Sequence, residues 1–233
     1  PAGAADPEPT RLAFQVQGRN TSALLSKPVD ARALVVLGHG ARLTMRSPLP
    51  ATLAEALASR RVATLRFNFP FAEAGREKPD PLPVMIETVR TAVRLGGEQG
   101  EGLPMVLAGQ SLSGLIVARV FEGEAPPVSG VAMIGFPLHQ AGRPSGRNAR
   151  QLEAIPVPLL LVQGSRDPLA ELRLVRALAE QLEPQARLHV VAGADHLFEP
   201  ESGSGSERAR PMIDEVAGAI SDFVATLEAN PGR

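Results

Sequence analysis

The chain contains no cysteine, no tryptophan and no tyrosine. Without cysteine there are no disulfides, no thiolate metal ligands and no thiol nucleophile, and a reducing, cytoplasmic setting is expected. Charge of one sign is also lacking: 24 Lys and Arg face 25 Asp and Glu, for a formal net charge of −1. The cations form no runs, so neither nucleic acid nor an anionic membrane is an expected partner. Long apolar runs are missing too. The longest, such as "ALVVLG" and "VPLLLVQG", fall far short of the roughly 20 residues a membrane helix needs and read as buried strands. The opening "PAGAADPEPT" has no basic stretch followed by an apolar core, so residues 1–10 are expected to be a loose terminus and not a secretory signal. No internal repeat is visible.

Hydrophobic residues make up 44% of the 233 positions and charged residues 21%, enough for one sizeable core and a single domain over residues 1–233. Runs rich in Val, Leu and Ile alternate with segments of helical period. That alternation predicts an α/β fold, with a mostly parallel sheet of about eight strands covered by helices on both faces. "RLAFQVQG" and "TSALLSKP", separated by "RN", predict a hairpin and an antiparallel edge strand. Six further strands are expected from Ala33, Val62, Pro104, Val128, Val157 and Ala186, all parallel. Helices are expected over about 49–60, 82–95, 113–122, 168–183 and 211–229. "FAEAGREKPDP", "HQAGRPSGRNAR" and "EPESGSGSERARP" lack periodicity and read as loops, the last as a flexible loop over residues 199–210. The segment after the sixth strand leaves no room for a large lid domain.

Ligands of an open parallel sheet bind outside the carboxyl ends of its strands, so the residues just past each apolar run carry the functional argument. After "PMVLA" come Gly109, Gln110, Ser111, Leu112, Ser113 and Gly114, then the helical "LIVARVF". This is the strand, turn and helix context of a nucleophile elbow, in which the residues two before and two after the nucleophile nearly touch. Around Ser111 those neighbours are Gly109 and Ser113, both small; around Ser113 one of them is Leu115, which would clash. Ser111 is therefore the candidate nucleophile, although a small-residue turn with no chemistry reads similarly.

A serine nucleophile needs a base, and the base needs a carboxylate to orient it. Four histidines are available: His39, His139, His189 and His196. His189 lies inside a strand run, and His39 precedes Gly40 in a turn where it suits backbone shaping. His139 is a candidate substrate contact. His196 follows the last strand in "VVAGADH" and is the candidate base. Asp167, in "LLLVQGSRDPLAEL", is the candidate acid, with a helix N-cap as its competing role. Asp195, adjacent to His196, reads as a turn residue. Serine, aspartate and histidine then follow the fifth, seventh and eighth strands, the chain order of an α/β-hydrolase triad. The backbone N–H groups of Leu112 and Ala41 are the candidate oxyanion donors. Arg42 and Arg143 are candidate substrate contacts, and Arg66 is a further candidate anion ligand unless it faces a salt-bridge partner. No cofactor and no metal is expected.

The segments "LGHGARLTM", "ATLRFNFPFAEAGREKPD", "LAGQSLSG", "IGFPLHQAGRP", "LLLVQGSRDPL" and "HVVAGADHLF" together resemble a group of α/β-hydrolase-fold proteins. That group is similar to testis-expressed protein 30 and the third regulatory subunit of the NSL chromatin complex, and has bacterial, dienelactone-hydrolase-like relatives. The resemblance runs from Leu34 to Phe223 and implies a triad at Ser111, Asp167 and His196. Arg42 and Ser113 depart from the group, where small residues follow the HGA turn and glycine stands two after the serine. The expected activity is a serine hydrolase of carboxylester or thioester class acting on a small acyl substrate. The competing reading is a catalytically silent binding protein on the same fold.

Overall fold

The computed structural model describes residues 8–201 and 206–229. The eight strands are β1 (Thr10–Val16), β2 (Arg19–Ser26), β3 (Ala33–Gly38), β4 (Val62–Phe67), β5 (Met105–Gln110), β6 (Gly130–Ile134), β7 (Leu159–Gly164) and β8 (Ala186–Val191). They form one sheet in the order β1-β2-β4-β3-β5-β6-β7-β8. β2 runs antiparallel to both neighbours, and β3 to β8 are mutually parallel. The hairpin turn is Gln17–Gly18, two residues earlier than the expected "RN". Both turn residues have positive φ, 48° and 73°. A two-residue hairpin that follows the strand twist requires this geometry, and Gly18 meets it without strain.

Among the described residues there are seven helices, the first six between strands and the last after β8: α1 (Pro48–Ala58), α2 (Pro70–Glu73), α3 (Leu82–Gly100), α4 (Leu112–Val120), α5 (Arg150–Glu153), α6 (Leu172–Gln181) and α7 (Ser206–Ala229). Successive strand side chains point to opposite faces, so the central strands feed two cores. Leu34, Val36, Leu65, Leu107, Met133 and Leu161 pack with α3, α4 and α6. Val35, Leu37, Val106, Ala132, Ile134 and Val162 pack with α1 and α7 on the other face. Each fully buried aliphatic side chain contributes about 1.5–3 kcal/mol. With no tryptophan or tyrosine, aliphatic packing does most of this work, and three of the phenylalanines, Phe67, Phe69 and Phe71, gather at the end of β4.

Several expected boundaries shift for local reasons. α2 and α5 are single turns inside segments expected to be loops. α3 continues past Leu95, where Gly96 lets the helix backbone lie against Val36 of β3. α6 starts at Leu172 and not at 168, because Asp167 to Ala170 form a turn of their own, with the Leu169 N–H donating to Asp167 Oδ1 at 2.8 Å. α7 starts at Ser206, so the expected flexible loop over 199–210 is helical in its last five residues. Pro211 lies inside this helix; the carbonyl it leaves without an intrahelical donor is that of Glu207, an exposed residue, while Ala209 anchors the added turn in the core. Glu199 and Pro200 are ordered as well: the Asp195 N–H donates to the Glu199 carbonyl, and Pro200 bridges to Ala194. The expected loose terminus ends at Thr10, where β1 begins; residues 1–7 and the Gly-Ser tract at 202–205 lie outside the described residues. Among the described residues no helix is long and apolar enough to cross a membrane.

The topology fixes where a ligand can sit. From β3 the chain moves one way to β4, then returns past β3 to β5 on its other side. At such a switch point the loops leaving β3 and β5 diverge and open a crevice at their carboxyl ends. Gly38 and Gly109 face each other across that end of the sheet.

Candidate active site

Ser111 stands between β5 and α4 with φ 51° and ψ −112°. This is sparsely populated backbone for a non-glycine residue and costs on the order of 1–3 kcal/mol. The turn is tight enough that a Cβ on Gly109 would lie 2.6 Å from the Gly114 backbone, so only glycine fits there. Ser113 is fully buried, and its hydroxyl donates to the Gln110 carbonyl at 3.0 Å. It fills the space beside Gly38, where an added Cβ would sit 2.7 Å from the Ser113 Cβ. The two serines thus divide cleanly: Ser113 is buried and ties the turn, and Ser111 is only half-buried.

His196 Nε2 lies 2.8 Å from Ser111 Oγ, and His196 Nδ1 lies 2.7 Å from Asp167 Oδ2. A carboxylate only accepts, so Nδ1 carries the proton and Nε2 is free to accept from the serine hydroxyl. The Asp167 side chain is fully buried and that of His196 is 17% exposed, so the pair meets solvent through the histidine and not through the carboxylate. Asp167 also accepts from the Leu169 N–H at Oδ1 and from Gln163 Nε2 at Oδ2. The N-cap of α6 is Glu171, so Asp167 does not serve as that cap. Asp195 shapes the turn that carries His196, its Oδ1 accepting from the N–H groups of Leu197 and Glu199.

The loop leaving β3 is braced from two sides. Gln110 Oε1 accepts from the Gly40 N–H at 3.0 Å. His39 Nδ1 donates to the Gly40 carbonyl at 2.8 Å, and His39 Nε2 accepts from the Phe69 N–H at 3.3 Å. Both contacts fit a neutral ring, and burial pushes His39 down from 6.5 to about 4. Further along, the Met45 N–H donates to Asn68 Oδ1 while Arg66 Nη1 donates to the Met45 carbonyl. Asn68 is held in turn by Glu73, which also accepts from Ser22 and Arg11. Burial works to raise the Glu73 carboxyl, but the hydrogen bonds from Asn68 and Ser22 and the Arg11 guanidinium outweigh it and hold it below the ordinary value. Among the described residues the Ala41 and Leu112 N–H groups, unlike that of Gly40, donate to no other group.

The remaining sequence candidates separate. Arg42 and Arg143 are exposed and pair with no carboxylate among the described residues. Arg66 is 5% exposed, faces α1, and has neither a carboxylate partner nor an accessible fork for a ligand at Nε. Burial, and then repulsion from Arg46, push its guanidinium below the ordinary arginine value, against a weaker opposing pull from Glu55. It is a clamp on Met45, not an anion ligand of the crevice. His139 is also spoken for: Nδ1 donates to the Gln140 carbonyl and Nε2 accepts from the Glu171 N–H, so its ring braces two loops and offers no nitrogen to a substrate. His189 pairs with Glu215 of α7 on the surface. Among the described residues no group of three or more His, Asp or Glu side chains is arranged to hold a metal ion. Sequence reasoning missed Gln163 and the Arg66–Asn68 clamp; a polar side chain within each apolar strand end was the available signal.

A parallel sheet in this order, with a serine elbow after β5, defines an α/β-hydrolase architecture. The chain belongs to the alpha/beta hydrolase domain family, whose model matches residues 31–225. Solved structures share the fold at low identity. A dienelactone hydrolase from Anabaena variabilis superposes with a TM-score of 0.73 at 20% identity, covering 94% of this chain and 99% of that one. A serine hydrolase without a lid from Xanthomonas campestris gives 0.70 at 18%, covering 97% of both chains. A carboxyl esterase from Bacillus coagulans gives 0.73 at 15%, covering 95% and 99%.

Proposed function

We propose that the protein is a serine hydrolase that cleaves a small carboxylic ester or thioester through an acyl-enzyme on Ser111. The observation that carries this reading is the continuous line from Ser111 Oγ through His196 to Asp167, at 2.8 and 2.7 Å. As Oγ attacks the acyl carbon its proton passes to Nε2, and Asp167 stabilises the imidazolium. The N–H groups of Leu112 and Ala41 receive the oxyanion, each such donor supplying roughly 10²–10³ in rate. His196 then protonates the departing alcohol or thiol, leaving the acyl group on Oγ. Water, deprotonated by Nε2, attacks that acyl carbon, releases the acid and restores the serine hydroxyl.

The flanking arginines support a negatively charged group on the substrate. Arg42 is held at φ 56°, a left-handed conformation costing about 1–2 kcal/mol, directly after the proposed oxyanion donor Ala41. The segments 39–47 and 135–149, which leave the strands on either side of β5, carry Arg42, Arg46, Arg143 and Arg147 and no Asp or Glu. In neighbouring segments, by contrast, Arg76 and Arg166 in loops and Arg173 in the first turn of α6 each pair with a carboxylate. The segments "LGHGARLTM" and "IGFPLHQAGRP" support grouping the chain with the proteins similar to testis-expressed protein 30.

The test is turnover of p-nitrophenyl esters together with labelling by a fluorophosphonate probe. The wild type is expected to do both, Ser111→Ala neither, and Ser113→Ala to keep labelling. A folded wild type inert to probe and esters would overturn the proposal in favour of a binding protein. Arg42→Gln is expected to lower turnover of p-nitrophenyl hemisuccinate more than that of the butyrate ester.

A further inference from the structure

Gln163 is the next-to-last residue of β7, four positions before Asp167, and is 2% exposed. Its side chain enters the core face, where it lines a small apolar void with Phe136, Leu138, Leu152, Leu161, Val175 and Leu178. A primary amide in such surroundings is costly unless it is hydrogen-bonded. Its Nε2 donates to Asp167 Oδ2 at 2.5 Å, the same oxygen that accepts His196 Nδ1 at 2.7 Å. The other oxygen, Oδ1, accepts the Leu169 N–H at 2.8 Å. Three donors therefore surround a fully buried carboxylate, and two of them converge on one atom.

From this geometry we infer that Gln163 is a positioning residue for the hydrolase reaction, holding Asp167 in the orientation that directs His196 at Ser111 and sharing the charge on Oδ2. The inference rests on the proposed hydrolase reading. It follows from two features of the strand. First, Gln163 belongs to the hydrogen-bonded body of the sheet, paired in register with Val190 of β8, so its Cα is as rigid as the fold allows. Asp167 stands in a turn beyond the strand end, and a turn needs a fixed external donor to hold its carboxylate to the few tenths of an ångström that a proton relay demands. Second, a donor on Oδ2 spreads the carboxylate charge and so moderates its pull on the imidazolium. Removing that donor leaves His196 as the sole donor to Oδ2, which strengthens the grip on the protonated ring and weakens its angular control.

The chemistry gives a signature that simple loss of packing does not. Gln163→Met keeps the side-chain length and suits the apolar surroundings, so the fold is expected to survive. In this variant kcat on a p-nitrophenyl ester is expected to fall at least tenfold with KM little changed. The acid limb of the kcat/KM profile is expected to move to higher pH, because the protonated ring persists further. Gln163→Glu supplies a donor only while its carboxyl is protonated, so as pH is raised its activity should begin to decline earlier than that of the wild type. Fluorophosphonate labelling of the wild type at Ser111 is read in parallel. If the wild type neither labels nor turns over esters, the hydrolase reading itself fails. If the wild type is active, and folded Gln163→Met or Gln163→Glu shows unchanged kcat and an unchanged pH profile, the positioning role of Gln163 is overturned.

Discussion

Histidine at position 39 is the clearest case of one side chain whose protonation the fold controls. It is 1% exposed and held neutral by a donor contact on one nitrogen and an acceptor contact on the other. Its value falls from 6.5 to about 4 in the folded protein, so between these limits the unfolded chain binds a proton that the folded one refuses. Stability is therefore expected to fall as pH is lowered through that window, by on the order of 3 kcal/mol in full. Glu73 is also lowered, though in its case the charged form is favoured, so its stabilising contribution is likewise lost on acidification but only below its ordinary value of 4.5. Urea unfolding from pH 7 to pH 4.5 should thus show a slope that His39→Gln flattens; an unchanged slope would remove His39 from the account. For Asp167→Asn, in which the orienting carboxylate becomes an amide, ester turnover is expected to drop roughly 10⁴-fold with the fold intact. That Ser111, Asp167 and His196 share one end of the sheet was legible because each lies in the turn or loop just past an apolar strand run, and strand ends mark a parallel sheet's binding edge. His139, Arg66 and Gln163 were not, since their roles depend on which backbone groups approach them in space.

Among the elements, the turn from β5 into α4 and the loop from β3 into α1 form the crevice together. Gly109→Ala would drive a methyl to 2.6 Å from the Gly114 backbone. Backbone cannot swing aside as a side chain can, so a loss of about 2–4 kcal/mol is expected, read as a lowered thermal midpoint. Arg66→Met tests the second element in the other direction. A buried arginine without a carboxylate partner is expensive, and an apolar side chain of similar length is often neutral or stabilising in its place. Stability is expected to hold or rise, while kcat falls several-fold because Met45 loses one side of its clamp; equal kcat in a stable variant would show that the clamp does not reach the site. The five longer helices were legible from period and prolines, whereas the single turns α2 and α5 and the helix ends were not. Leu172 opens α6 late because the preceding turn aims the Asp167 carboxylate, and Ser206 opens α7 early because Ala209 has core to fill.

At the scale of the whole molecule, alternation of apolar runs and helical segments was enough to specify an α/β fold with six parallel strands, and the α/β-hydrolase assignment needed in addition the order of serine, aspartate and histidine along the chain and the family resemblance. The order of those strands was not readable from the runs themselves; it comes from the crossover past β3, which brings Gly38 and Gly109 side by side. Ser111 after β5, Asp167 after β7 and His196 after β8 all leave the carboxyl end of that one sheet, where Ser111 and His196 meet across 85 residues of chain. The central claim is that Ser111 is the atom source of an acyl-enzyme, and mass spectrometry of the fluorophosphonate-treated protein tests it most directly. The adduct should map to the tryptic peptide running from Leu95 to Arg119, with fragmentation placing it on Ser111. An adduct on Ser113, or a folded protein that takes up no label, would contradict the account.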